Sequence, residues 1–288
     1  MLQRPLICTN LNDGLQRLTQ FLPSLAANGA QQITFLHSIP VSDEGAIARV
    51  DSDRQDQARD RLMANMAHCD GLDVQVRVEV GRVVDNVLRV VRERQCDGVM
   101  LGTASKSLLT EKLFGSTTRE LAQKLTTPIL AIRPPLFLTF TAEELDLRCR
   151  HLYRTVLVPF DGSESAKYAV EQIQALASQT PSIERCILCW VIAEGGRLTP
   201  APETQIEQAQ TTLTTIAAQL QALNIQPIQV IRQGEPATTL LEVAQTYDVS
   251  AIAIASNTLG KLLEWSVPSL AAELLRRSWH PVLFLPRR

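Results

Sequence analysis

Short apolar runs and amphipathic stretches alternate along the whole chain. In the first half, apolar or alternating runs begin near five positions: Pro5, Gln32, Val74, Cys96 and Thr127. Between them, leucines and valines recur at helical spacing, as in the run from Leu15 to Leu25. Strands that alternate with helices predict a parallel sheet covered by helices on both faces.

The same order of elements begins again after Tyr153. Three pairs of equivalent positions lie at a constant distance along the chain: Gly81 and Gly234, Gly102 and Ala255, Pro128 and Pro281. A constant offset of this kind predicts a tandem duplication. We therefore predict a first domain at residues 1–135, a connector at 136–152 and a second domain at 153–288. The apolar half of the connector predicts that it packs against one of the domains.

Composition narrows the class of protein. The chain has 288 residues, 45% of them hydrophobic and 20% charged, which is typical of a globular protein. A net charge of -2 gives no reason to expect nucleic acid or a membrane as partner, and no signal peptide or spanning segment is recognisable. Cys186 and Cys189 have the spacing of half a metal site, but on a strand they point to opposite faces. We predict buried free thiols, no metal site and a cytoplasmic location.

The predicted fold indicates where a ligand would bind. In an open parallel sheet, ligands bind at the carboxyl ends of the strands, where the winding direction reverses. For the strand order 3-2-1-4-5, this crevice lies between strands 1 and 4. The loops to inspect are residues 8–12 and 102–117 in the first half, and 159–163 and 255–270 in the second.

One of these loops has the parts of a backbone anion site. Gly102 ends a predicted strand, and Gly115, Ser116 and Thr117 open the next helix. Glycine allows close approach, and the free N–H groups of a helix's first turn point towards an anion. The alternative interpretation is that these residues serve only a tight turn and a helix cap.

With these motifs, the chain resembles a tandem universal stress protein over nearly all of its length outside the connector. Nucleotide-binding members have an acidic turn after strand 1, matched here by Val158-Pro-Phe-Asp-Gly-Ser163. After strand 4 they have glycine, two residues, glycine, nine residues, and Gly-Ser/Thr. Gly102, Ser105 and Gly115-Ser116 match that pattern, with one glycine replaced by serine.

The resemblance also implies a fold and an assembly. It implies an α/β fold of the adenine-nucleotide alpha-hydrolase-like type, with two tandem five-stranded parallel sheets of order 3-2-1-4-5. Such domains pair through the last strand, so residues 129–133 and 282–285 are expected to join the halves as an intra-chain pseudo-dimer. A further homodimer is compatible with this expectation.

The two halves depart from the family pattern in opposite places. In the first half, Asn10 stands where the family has aspartate. In the second half, Asp161 and Val191 match the positions that contact the base. The phosphate loop there has lost its three glycines to Ala255, Thr258 and Pro268 and keeps only Ser269. Asp161 has an alternative interpretation as a simple helix cap.

The resemblance implies a stress-response regulatory protein that binds ATP, with or without Mg²⁺, or a related adenine nucleotide. The first half is predicted to be the better site, with adenine near Asn10 and phosphates over Gly102, Thr103 and Ser105 and the helix that opens at 115–117. No catalytic residue is predicted, so hydrolysis should be slow or absent. The competing hypothesis is an adaptor that binds no nucleotide and acts through its pseudo-dimer surface. A P-loop and the loop of ATP pyrophosphatases are both missing.

Overall fold

The computed structural model describes residues 2–40, 52–103, 116–179, 182–193, 202–256 and 269–287. The chain divides into two compact units, Leu2–Arg150 and His151–Arg288. Each unit repeats the alternation of strands and helices that the sequence predicts, so the α/β class is confirmed. None of the helices in these ranges is long and apolar enough to cross a membrane.

The first unit is a parallel sheet with helices between its strands. Its strands follow one another in space in the order β3-β2-β1-β4-β5. The elements are β1 (Pro5–Cys8), a 3-10 helix (Leu15–Phe21), α1 (Leu22–Ala27), β2 (Gln32–Ile39), α2 (Ser52–Met63), β3 (Asp73–Val80), α3 (Val83–Glu93), β4 (Gly98–Gly102), α4 (Ser116–Lys124), β5 (Ile129–Ile132), α5 (Pro134–Thr139) and α6 (Ala142–Arg150).

The second unit repeats this arrangement without the two additional helices at its end. Its strands lie in the order β8-β7-β6-β9-β10, again all parallel. The elements are β6 (Thr155–Pro159), α7 (Glu164–Gln179), β7 (Arg185–Ile192), α8 (Pro202–Gln221), β8 (Gln226–Gln233), α9 (Pro236–Thr246), β9 (Ala251–Ser256), α10 (Leu270–Arg277) and β10 (Val282–Pro286).

The prediction of two separate five-stranded sheets is wrong, because the ten strands belong to one ten-stranded sheet. Hydrophobic periodicity shows which segments are strands and which faces they bury. It does not show whether the N–H and C=O groups of an edge strand are paired with a further strand. Every residue carries these backbone groups, so the side-chain pattern is the same in both cases.

The central strands of each unit are buried on both faces. Leu6 and Val99 in the first unit, and Leu157 and Ile252 in the second, have no exposed surface. These strands contain almost only apolar residues, as expected where helices cover both faces of a parallel sheet. The polar groups that could bind a ligand are therefore confined to the ends of the strands and to the loops.

Residues 136–150 of the predicted connector belong to the first unit, and their apolar part packs there. Helices α5 and α6 pack against the 3-10 helix and α1. Arg17 fixes this contact, because its Nη1 donates to the carbonyls of Phe137 at 2.6 Å and Phe140 at 2.8 Å. The Arg148 guanidinium lies 4.4 Å from the centre of the Phe140 ring. The Arg17 guanidinium thus satisfies two backbone carbonyls at the end of α5.

We expect Arg17→Met to lower the free energy of unfolding by about 2 kcal/mol, because two hydrogen bonds from a charged group are lost while the aliphatic stem is kept. Urea denaturation followed by circular dichroism would measure the loss. Arg59→Met is the matched control, since the contact of Arg59 within the described residues is an exposed ion pair with Asp56. Its loss should stay below about 0.5 kcal/mol. Equal losses in the two variants would contradict the role given to Arg17.

Candidate functional site

Each unit has a crevice at the carboxyl ends of its strands, where the sequence analysis placed the ligand. The crevice of the first unit is a cavity of about 240 Å³ at the ends of β1, β2 and β4. The crevice of the second unit is a cavity of about 410 Å³ at the ends of β6, β7 and β9. Small-molecule sites usually have roughly 300 Å³ or more. By size alone, only the second crevice reaches this range.

Hydrogen bonds between the strands show which positions correspond in the two crevices. Thr9 N–H donates to the Leu36 carbonyl at 3.0 Å, and Phe160 N–H donates to the Cys189 carbonyl at 2.8 Å. Thr9 therefore corresponds to Phe160, and the next residue, Asn10, corresponds to Asp161. The sequence alignment of these two turns is correct at this point.

The turn after β6 presents the Asp161 carboxylate at the mouth of the second crevice. Asp161 Oδ1 accepts the Ser163 N–H at 2.9 Å, and Gly162 has a φ of 78°. Ser163, and not Asp161, caps α7, because its Oγ accepts the Ala166 N–H at 3.2 Å. The alternative interpretation of Asp161 as a helix cap is therefore wrong. Asp161 is exposed, and Ser163 is its only hydrogen-bond partner among the described residues.

The rest of the second crevice is mostly apolar. Ala166, Val191, Leu240 and Ile254 line it. Cys189 directs its carbonyl towards β6, so by the alternation of a strand Val191 directs its N–H and C=O to the same side. Strand β6 pairs with β7 only as far as Cys189, so these two groups lie beyond the pairing. The crevice thus offers an apolar slot with a backbone donor and acceptor at one edge.

Trp190 supports the turn and does not take part in the site. Its ring packs against Phe160 with centroids 5.7 Å apart, and a Cβ on Gly162 would lie 3.2 Å from its Cη2. The equivalent His37 makes a hydrogen bond between Nδ1 and the Thr9 carbonyl at 2.9 Å. Both residues hold the end of the first strand of their unit, Trp190 by packing against Phe160 and His37 by its hydrogen bond to Thr9.

The start of α10 forms part of the wall of the second crevice. Ser269 lines the crevice, but its Oγ accepts the Ala272 N–H at 3.2 Å and so caps the helix. The Ser269 carbonyl accepts the Glu273 N–H at 2.9 Å. The N–H groups of Leu270 and Ala271 come before these and have no acceptor within the described part of the helix. Both residues line the crevice.

A second helix start lies nearby, and it carries a fixed negative charge. Glu235 caps α9 by accepting the N–H groups of Ala237 at 3.0 Å and Thr238 at 2.7 Å. Hydrogen bonds from the Thr238 hydroxyl and from these N–H groups lower the Glu235 pKa to about 2. Glu235 is therefore ionised at any physiological pH, directly before Pro236 of the crevice wall.

The first crevice contains a carboxylate that the sequence analysis missed. Asp13 Oδ1 accepts the Thr9 hydroxyl at 2.6 Å and the Leu15 N–H at 3.1 Å, and its Oδ2 accepts the Asn10 N–H at 3.0 Å. It is 8% exposed. Gly14 follows with a φ of 81°. This is the turn of Asp161 and its glycine, displaced by three residues, and the Asp-Gly pair in the sequence was the signal for it.

Gly102 lies against this carboxylate and against the connector. A Cβ at position 102 would lie 3.4 Å from Asp13 Oδ2 and 3.3 Å from Pro134 Cγ. The missing side chain at Gly102 thus leaves room for Asp13 and Pro134 of the same chain. A phosphate over Gly102 would face the Asp13 carboxylate, and two charges about 4 Å apart repel by about 4 kcal/mol at an effective dielectric constant of about 20.

The remaining predicted residues of the first half are only partly brought together. Asn10 and Thr117 line the crevice with Gly102. Asn10 Oδ1 accepts the Asn12 N–H at 2.8 Å. Thr103 continues the pairing with β5, because its N–H donates to the Ile132 carbonyl at 2.8 Å. Ser116 is the first residue of α4. Ser105 and Gly115 lie outside the described residues.

Neither crevice offers a reactive thiol. Cys8 lines the first crevice and Cys189 the second. Burial raises the pKa of Cys189 to about 12 and that of Cys8 still further. Both thiols are protonated at neutral pH and are therefore weak nucleophiles and poor metal ligands. Across the ranges that the structure describes, no cluster of three or more His, Cys, Asp or Glu side chains could hold a metal ion.

Comparison with known proteins places the chain in a family. The family model of the universal stress protein family matches residues 1–133 and 152–286. A universal stress protein from Archaeoglobus fulgidus is similar over 100% of both chains, with 17% identity and a TM-score of 0.71. One from Pseudomonas aeruginosa is similar over 99% of this chain and 93% of its own, with 13% identity and a TM-score of 0.60.

The identities of these two structures are low, so the similarity shows the fold alone. A universal stress protein solved in complex with cAMP matches 47% of this chain and 98% of its own, with 20% identity and a TM-score of 0.38. No curated protein matches. Because the family model covers both repeats, the chain belongs to the universal stress protein family, with two copies of its domain in tandem.

Proposed function

We propose that this chain is a stress-response regulatory protein that binds an adenine nucleotide in its second crevice, with little or no hydrolysis. One observation carries the proposal: an apolar crevice of about 410 Å³ has the exposed Asp161 carboxylate at its mouth. A purine fits an apolar slot, and a carboxylate accepts hydrogen bonds from an exocyclic amine or from ribose hydroxyls.

The backbone of Val191 adds the base specificity. Its N–H and C=O point to the side of β7 that faces the crevice. They follow the last residue of β7 that pairs with β6. The Watson–Crick edge of adenine carries one acceptor beside one donor, so it matches a backbone N–H and C=O pair. Ala166 and Leu240 contribute apolar surface to the slot.

The sequence analysis predicted the first half as the better site, and this remains a prediction because Ser105 and Gly115 lie outside the described residues. The described geometry favours the second crevice instead. The first cavity is smaller, and Asp13 brings a buried negative charge next to Gly102. Asn10 is itself uncharged, and its Oδ1 already accepts the Asn12 N–H, so it offers an adenine amino group a weaker acceptor than the Asp161 carboxylate does.

Slow hydrolysis follows from the groups that line the second crevice. Among the described lining residues, Asp161 is the one carboxylate, and there is no histidine, lysine or arginine. Asp161 belongs to the turn after β6, where its Oδ1 accepts the Ser163 N–H, whereas phosphate would be held at the start of α10. Activation of a water molecule needs a base within hydrogen-bond reach of it.

Isothermal titration calorimetry with AMP and ATP tests the proposal. Asp161→Asn keeps the turn, because the asparagine Oδ1 can still accept the Ser163 N–H, but it removes the charge. We expect affinity to fall about tenfold or more, since hydrogen bonds to charged groups contribute about 1.5–3 kcal/mol. Asn10→Ala is the matched variant of the first crevice and should leave affinity unchanged.

The outcomes separate the candidate functions. A loss in Asn10→Ala with none in Asp161→Asn would move the site to the first crevice. The absence of a heat signal from either nucleotide would end the nucleotide proposal and leave the adaptor hypothesis.

A further inference from the structure

At four positions of its wall, the first crevice carries a hydroxyl group where the equivalent residue of the second crevice is apolar. The pairs are Thr9 and Phe160, Ser38 and Val191, Thr117 and Leu270, and Thr118 and Ala271. Thr9 and Phe160 correspond by their hydrogen bonds, and the other pairs keep the distance along the chain that relates Gly102 to Ala255. The two crevices therefore present different groups at the same places.

We propose that the first crevice binds a small polyol, which is a molecule with several adjacent hydroxyl groups. This site is separate from the proposed nucleotide site, so either proposal can fail while the other stands. None of the groups used here belongs to residues 104–115, which lie outside the described residues.

The Thr118 hydroxyl is the first sign of a ligand. Thr118 lies in α4, lines the crevice and is only 7% exposed. Among the residues that the structure describes, its hydroxyl has no hydrogen-bond partner. A buried hydroxyl without a partner costs free energy, because it has given up its bonds to water. A ligand hydroxyl in the crevice would supply the missing partner.

The neighbouring groups offer both donors and acceptors. Ser38 Oγ accepts a hydrogen bond from Asn86 Nδ2 at 3.2 Å, so within the described residues its own proton is left to donate. Asn10 uses its Oδ1 within its turn, which leaves its Nδ2 as a donor. Asp13 Oδ2 accepts the Asn10 N–H at 3.0 Å, and a carboxylate oxygen can accept a second hydrogen bond.

This mixture favours a ligand group that both donates and accepts. A phosphate group only accepts hydrogen bonds and an ammonium group only donates them, whereas an aliphatic hydroxyl does both. Adjacent hydroxyls can accept from Ser38 or Asn10 and donate to Asp13. The cavity of about 240 Å³ is smaller than the roughly 300 Å³ at which small-molecule sites usually begin, which suits a ligand smaller than a nucleoside.

Ligand-observed NMR with glycerol, erythritol and ribitol, followed by isothermal titration calorimetry of the strongest binder, tests the proposal on the full chain. We expect one of these polyols to bind at millimolar concentration or below. Methylammonium and inorganic phosphate are the comparison probes. The inference would be overturned if no polyol binds, or if a comparison probe binds more tightly than the polyol and Thr118→Val weakens that binding.

Thr118→Val removes the hydroxyl and keeps the shape of the side chain. We expect the polyol to bind about threefold to tenfold more weakly, as the loss of one neutral hydrogen bond implies. The free protein should be no less stable, because this hydroxyl has no partner to lose within the described residues. A purely structural role of Thr118 would instead lower the midpoint of urea denaturation and leave the affinity unchanged.

Two further variants are the controls. Thr126→Val makes the same replacement at an exposed position after α4 and should leave polyol binding unchanged. Asp161→Asn alters the second crevice and should leave it unchanged as well. If Thr118→Val binds the polyol as tightly as the unmodified protein, or if Asp161→Asn weakens the binding, the polyol is not in the first crevice and the inference is wrong.

Discussion

Gly14→Ala is expected to lower the free energy of unfolding by about 3 to 5 kcal/mol, the largest effect of a single methyl group that we expect in this chain. Gly14 has a φ of 81°, which an alanine adopts only with strain. A Cβ at this position would also lie 2.8 Å from Phe137 Cβ and 3.0 Å from the Phe137 carbonyl carbon. These atoms cannot move aside easily, because Arg17 holds the Phe137 carbonyl.

Gly162→Ala provides the matched control from the other repeat. Gly162 has nearly the same φ, 78°, but a Cβ there would meet only the edge of the Trp190 ring, at 3.2 Å and 3.9 Å. The backbone strain should therefore appear with a smaller steric conflict, at about 1 to 2 kcal/mol, because the Trp190 ring needs to shift by only a few tenths of an ångström. Urea denaturation of both variants gives the comparison. If the two variants lose the same free energy of unfolding, residues 137 and 138 of the connector move aside to make room for the added methyl group.

Asp13→Ala should lower the free energy of unfolding by about 3 kcal/mol. The substitution removes a carboxylate that accepts three hydrogen bonds and leaves the N–H groups of Asn10 and Leu15 without their acceptor. Leaving a buried donor unsatisfied costs about 1–3 kcal/mol, and Leu15 has no exposed surface. The Thr9 hydroxyl can rotate towards another acceptor, so it should add less.

The control for this variant is Asp161→Ala, which removes the equivalent carboxylate from the other turn. Asp161 is exposed and accepts one hydrogen bond, from Ser163, and water can replace that bond. A loss of about 1 kcal/mol or less is expected. Thermal or urea unfolding of the two variants should differ clearly. If Asp161→Ala were the more destabilising, the assignment of a structural acid to one turn and a ligand acid to the other would be wrong.

The sequence was sufficient for the elements and for the place of the crevices. The family motif after strand 1 aligned Asn10 with Asp161, and the hydrogen bonds of Thr9 and Phe160 agree with that alignment. The sequence did not show which carboxylate the turn after β1 contains. The Asp-Gly turn forms again three residues later at Asp13, because a carboxylate can accept the N–H two residues on wherever the chain allows it. A fixed spacing cannot represent such a shift.

The glycine of the predicted anion site illustrates a second limit. Gly102 matched the family pattern, and its surroundings show another use: Asp13 and Pro134 lie where a Cβ would be crowded. Pro134 is 32 residues away in the sequence and Asp13 is 89 away, so no local pattern could reveal the contact. Thr103 was likewise indistinguishable from a loop residue until its pairing with Ile132 was seen. Contacts of this kind arise from tertiary packing.

The buried Asp13 has a consequence for how the two halves depend on their surroundings. In the first half, the chain supplies its own anion to the N–H groups of the turn, so that half folds with the donors of its turn already satisfied. In the second half, Asp161 and the start of α10 remain open to solvent or ligand. A bound ligand stabilises only the state that binds it, by an amount set by its concentration. The cellular concentration of the ligand would then contribute to the thermal stability of the second half, whereas the first half carries the anion of its turn within its own chain.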